Sequence, residues 1–122
     1  MGAEQKLYKK LKAKTPKIIW NRVENISIVG MPDLLGYNAN GHFFTVELKV
    51  TKSNKIKFSP HQISFHVTHP KNSFILVKPP AACGLKLYEG SRVKELVACG
   101  LKLEACRLGL EACRLRLETL GA

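Results

Sequence analysis

The sequence predicts an α/β domain: a mixed central sheet of about five strands flanked by helices, in the order α-β-β-β-α-β-β-α. Three observations carry this. Residues 42–50 alternate with the two-residue period of a strand. Phe74-Ile75-Leu76-Val77 is a continuous apolar run of the kind buried on both faces of a sheet. Residues 4–14 and 59–69 carry the apolar stripes and end signals of helices. At 122 residues, one core is the expectation, with 1–97 as the α/β domain and 98–122 as a tail.

Residues 4–14 are helix formers, with Leu7, Tyr8 and Leu11 as the apolar stripe, lysines over the rest, and Thr15-Pro16 as the stop. Residues 18–29 are rich in β-formers, among them Trp20, which is expected in the core. A second short strand covers 34–38. Ala39-Asn40-Gly41 then turns the chain into the strand over 42–50. A three-residue loop with Gly in the left-handed position sets Asp33 opposite Glu47 on one face, whereas a two-residue loop would oppose Asp33 to Leu48. The three-residue loop is the expectation. On the long strand, Phe44, Val46, Leu48 and Val50 share the buried face; Phe43, Thr45, Glu47 and Lys49 share the other.

Thr51 to Lys57 is a polar, basic loop. Ser59-Pro60-His61-Gln62 opens a helix, with Ser as N-cap, Pro in the first turn and Gln62 at the capping-box position. Ile63 and Val67 are expected to face the core, and His69-Pro70 ends the helix. His61, His66 and His69 have no local carboxylate or Cys beside them, so exposed histidines able to touch phosphate are expected rather than a zinc site. Residues 85–88 read as a one-faced strand. A helix follows, with Val93, Leu96 and Val97 on its apolar side.

The tail is a repeat: Ala98-Cys99-Gly100-Leu101-Lys102-Leu103-Glu104 recurs twice more, ending at Glu118. A seven-residue period suggests a helix with an Ala/Leu and Cys/Leu seam. Gly100 and Gly109 weaken it, so an extended or poorly ordered tail is the alternative. Cys83, Cys99, Cys106 and Cys113 lack close Cys-x-x-Cys pairs and are read as free thiols.

Two carboxylates and a lysine, Asp33, Glu47 and Lys49, thus converge, which suits a divalent cation and a phosphate. Pro32-Asp33 followed by Glu47-Leu48-Lys49 resembles the PD-(D/E)XK nuclease signature. With Gly30-Met31 before it and Ser59-Pro60-His61-Gln62 after it, the chain is similar to the VRR-NUC branch common in phages. The resemblance implies a restriction-endonuclease-like core and a metal-dependent endonuclease acting on DNA, including branched structures. Asp33, Glu47 and the Leu48 carbonyl would hold Mg²⁺, or Mn²⁺ in its place. Glu4 or Glu24 would supply a third acid, and the residues leave both open. Lys49 would orient water or neutralise developing charge, and Gln62 would act beside the metal. That role stands alongside its plain reading as a capping residue. Nucleases of this type often act as dimers.

Charge fits a polyanionic partner. Residues 1–80 hold 13 Lys+Arg against 4 Asp+Glu, out of a net charge of +11 for the chain. Lys9, Lys10 and Lys12 on the first helix, Lys52, Lys55 and Lys57 in the basic loop, and His61 are the candidate DNA contacts. No apolar run approaches the ~20 residues that span a bilayer, and no signal region follows the lysine-rich start. An intracellular, cytoplasmic protein of a bacterial or phage-infected cell is the expectation. Two rivals remain: a non-catalytic nucleic-acid-binding module of the same fold, and an oligomerisation or docking protein acting through the repeat.

Overall fold

Strands β1 (Ile19–Arg22), β2 (Leu34–Tyr37), β3 (Phe43–Val50), β4 (Ser73–Lys78), β5 (Lys86–Glu89) and β6 (Arg107–Leu108) lie side by side in sequence order. The structure, a computed structural model, describes residues 2–23, 30–80 and 84–122. Neighbouring strands are antiparallel except β3 and β4, which run parallel. A parallel pair needs a crossover. Helix α2 (Pro60–Thr68) makes it. Helices α1 (Ala3–Lys14), α3 (Val93–Cys99) and α4 (Leu110–Glu118) complete the set.

Alternation along the strands divides the core in two. Phe44, Val46, Leu48, Phe74, Leu76 and Leu87 pack under α1 and α4, meeting Leu7, Leu11, Cys113 and Leu117. On the other face, Ile75, Val77 and Tyr88 meet Ile56, Val93 and Leu96. The sheet is therefore sandwiched between helices, and β4 is buried on both faces as its composition predicts. The predicted stripe of α1 is the one buried. Trp20 is in the core, its indole N–H donating to Thr15 Oγ1 at 2.8 Å.

The sheet has six strands among the described residues, close to the five expected, the sixth being β6 from the second repeat unit at the edge. Other expectations need correction. Residues 85–88 were expected to be one-faced, yet Leu87 and Tyr88 are buried on opposite faces. The phenol of Tyr88 donates to the Leu103 carbonyl at 3.0 Å. Val67 and Val97 are 43% and 44% exposed, not core. In α2 the inward position is taken by His66, which is fully buried rather than exposed.

The three copies of the repeat do not form one helix. The first ends α3 and turns through a 3-10 segment, Gly100–Lys102; the second gives β6; the third is α4. Hairpin side chains cap the last of these. Asn38 Nδ2 donates to the carbonyls of Leu117 and Leu120, at 3.0 and 2.8 Å, satisfying groups that a helix end leaves unpaired.

Candidate active site

The β2–β3 hairpin has the three-residue connection. Asn38 N–H donates to the His42 carbonyl at 3.2 Å, and Gly41 takes φ +73° in the left-handed region. Leu34 therefore faces Val46, and the next step of that register sets Asp33 beside Glu47. Asp33 Oδ2 accepts from the Leu48 amide at 2.8 Å, which fixes the first carboxylate against the strand carrying the second. Just upstream, Gly30 has φ +84°, and a Cβ there would lie 2.4 Å from the His61 carbonyl oxygen. Only glycine lets the strand entry lie this close to the first turn of α2.

Gln62 joins α2 to the strand. Its Oε1 accepts from the Ser59 amide at 3.0 Å, closing a capping box with Ser59 Oγ. The same Oε1 accepts from Lys49 Nζ at 2.9 Å, and Nε2 reaches Glu47 Oε2 at 3.4 Å. The capping reading of Gln62 holds, and the same side chain also touches Lys49 and Glu47. Lys49 Nζ also lies 4.8 Å from the centre of the Phe58 ring.

Glu47 is 2% exposed. Burial, first, pushes its carboxyl up to about 9; the charge of Asp33 and a hydrogen bond with it add to this, Lys49 opposes it, and Glu4 contributes weakly. Glu4, near the start of α1, is raised in turn by partial desolvation and by Asp33, with Lys49 opposing. Glu4 thus lies within electrostatic reach of the pair although its residue is exposed. Glu24, the rival third acid, lies outside the described residues, as does Cys83.

Buried opposite Glu47 is His66. Its Nε2 is 3.9 Å from Glu47 Oε1, and its Nδ1 is 2.6 Å from Ser73 Oγ. Burial, then Lys49 and His69, lowers the ring to about 4, so it is neutral near pH 7. His66 was legible in principle, since it follows Gln62 by four residues and so shares its helix face.

Among solved structures, the chain is similar to Archaeoglobus fulgidus Hjc, a Holliday junction resolvase from an archaeal hyperthermophile. The TM-score is 0.56 at 17% identity, over 71% of this chain and 77% of that one. The fold is restriction-endonuclease-like. No family model matches the sequence, and no curated protein matches it.

In this restriction-endonuclease-like frame, Asp33, Glu47, Lys49 and Gln62 come together where β3 approaches α2, and Leu48 is tied to them through its amide. Among the described residues, no group of three or more His, Cys, Asp or Glu side chains is arranged to hold a metal ion. Two adjacent carboxylates, Asp33 and Glu47, nevertheless offer the oxygen donors that suit a hard cation keeping part of its water shell. Beside them runs a groove lined by Glu4, Lys49, Lys52, Lys55 and Lys57. Lys9, Lys10 and Lys12 are exposed on α1 and do not line it, and His61 is exposed on the first turn of α2. Among the described residues, no helix is long and apolar enough to cross a membrane.

Proposed function

We propose that this protein is a metal-dependent endonuclease of the PD-(D/E)XK type, similar to the VRR-NUC branch, that hydrolyses DNA phosphodiesters at branched structures. One observation carries the reading: Asp33, Glu47 and Lys49 converge beside a basic groove, with Gln62 bridging the acid and the amine. The neighbour named above, a Holliday junction resolvase, supports branched DNA as the substrate class. A cytoplasmic setting and a homodimer accord with such a substrate.

Asp33 and Glu47 would hold Mg²⁺, or Mn²⁺, with the Leu48 carbonyl, which leaves β3 on the same side as the amide bound to Asp33. Glu4 would complete the acidic shell. A bound divalent ion would polarise the phosphodiester and make its water a stronger nucleophile. The chain's own groups do the rest. The Leu48 amide keeps Asp33 in place, and Gln62 holds the Lys49 ammonium at the edge of the acidic pair. From there Lys49 can orient water or neutralise charge as it develops on the phosphate. Lys52, Lys55 and Lys57, with His61 and the α1 lysines Lys9, Lys10 and Lys12, would carry the flanking backbone.

Incubating the protein with linear duplex, single-stranded, flap and four-way DNA, with and without Mg²⁺, tests this directly. Cleavage should require Mg²⁺ and favour the branched substrates. Glu47→Gln, Asp33→Asn and Lys49→Met should each abolish it while leaving DNA affinity intact. Lys49→Met should spare metal binding, and the two carboxylate changes should weaken it. Full activity in Glu47→Gln would refute the assignment.

A further inference from the structure

Three buried side-chain polar atoms lack a hydrogen-bond partner among the described residues: Thr45 Oγ1, Glu47 Oε1 and His66 Nε2. They belong to one place. Thr45 and Glu47 are two residues apart on the same face of β3, and His66 looks onto Glu47 from α2. Buried polar groups are rarely left unpaired, so a cluster of three asks for a role.

The buried imidazole has three further neighbours. Ser73, itself buried, fixes Nδ1 at 2.6 Å, and the rings of Phe58 and Phe65 stand edge-on to it with interplanar angles of 85° and 89°. A neutral imidazole has one donor and one acceptor nitrogen. If the Ser73 hydroxyl donates to Nδ1, the proton resides on Nε2, the nitrogen that faces Glu47 Oε1. The gap of 3.9 Å is about 1 Å longer than a hydrogen bond, so the contact requires one of the two side chains to move by that amount.

We propose that His66 is a positioning residue: it presents Nε2–H to Glu47 Oε1 and so fixes the plane of that carboxylate, with Oε2 turned toward Gln62. Ser73 sets the tautomer that makes this possible. This deepens the nuclease reading, which it needs only for what the held carboxylate then does.

The test compares wild type with His66→Phe, His66→Gln and Ser73→Ala. Readouts are Mn²⁺ affinity by calorimetry, melting temperature, and kcat and KM on four-way DNA. Phenylalanine fills the ring's space without a donor, whereas glutamine returns an N–H near the Nε2 position. His66→Phe should stay folded, bind Mn²⁺ about 10–100-fold more weakly, and lose kcat by a similar factor with KM unchanged. His66→Gln should recover most of both. Ser73→Ala should weaken Mn²⁺ binding in the same direction, and it decides the matter if His66→Phe does not fold. Wild-type Mn²⁺ affinity in folded His66→Phe, or in Ser73→Ala should the former fail to fold, would overturn the proposal. So would a His66→Gln as defective as His66→Phe. If wild type binds Mn²⁺ but cuts no DNA, the nuclease reading fails, and the affinity comparison still judges His66.

Discussion

Glu47 illustrates how a strand pattern becomes chemistry. Alternation puts it on the face opposite Val46 and Leu48, and α2 then covers that face, so the carboxyl is buried beside Asp33. Its pKa in the fold is about 9, against 4.5 when exposed. Between those values the folded chain keeps a proton that the unfolded chain has lost, so stability falls as pH rises through the window. His66 acts the other way. Its lowered pKa, about 4, removes stability as pH falls below 6.5. In EDTA, the melting temperature should therefore decline from pH 6.5 to 9, and Glu47→Gln should remove most of that decline. Mg²⁺ should lessen it too, because a bound cation stabilises the ionised carboxylate. A wild-type melting temperature that does not change with pH in EDTA would show that Glu47 is not buried as an acid. The sequence places Asp33, Glu47 and Lys49 because a period of two and a turn length are local properties. It places His66 on the helix face of Gln62 but does not show that this face is covered, or that Ser73, on a different element, meets the ring.

Among the elements, the repeat shows how far context can override sequence. Its three copies differ by few residues, yet one turns, one pairs as a strand and one is helical. Neighbours decide. Gly100, at φ +60°, passes so close to the Asn54 carbonyl that a Cβ would lie 2.2 Å from it. The second copy meets the free edge of β5, and the third has Asn38 and Asn40 to cap its end. The cysteines follow suit, with Cys99 exposed and Cys113 buried, its thiol pushed up to about 12 by burial. A seven-residue period cannot report these neighbours. Helix α2 is the opposite case, since its cap, its proline and its box are adjacent in sequence and all form as read. Ending the chain after Leu103 would remove Cys113, Leu117 and Leu120 from the core under α1. Replacing one such leucine by alanine costs about 2–5 kcal/mol, comparable to a small domain's whole stability. The truncated chain should lose its cooperative melting transition and its solubility. A sharp transition at the wild-type temperature would mean that residues 1–103 hold the fold alone.

For the molecule as a whole, the acidic pair presents a problem that the charge distribution answers. On the proposed reading, two carboxylates beside a bound phosphate would repel it, and a divalent ion with a wide positive field would offset that repulsion. The net charge of +11 is concentrated in the first two-thirds of the sequence, and only part of it lines the groove. Lys52, Lys55 and Lys57 stand at the groove beside Glu4 and Lys49, whereas Lys9, Lys10 and Lys12 lie along α1 outside it. These surfaces can be told apart by salt. Each phosphate contact on duplex DNA contributes roughly 0.9 to the slope of log affinity against log salt. If the groove carries the backbone, changing Lys52, Lys55 and Lys57 together to Gln should lower the slope by about 3 and reduce cleavage through KM, with kcat held. The matching change of Lys9, Lys10 and Lys12 should alter the slope only as far as α1 also touches the flanking duplex, so a longer duplex should enlarge its effect. Equal and small effects from both triples would mean that the positive charge serves solubility, and that DNA reaches Asp33 and Glu47 by another face.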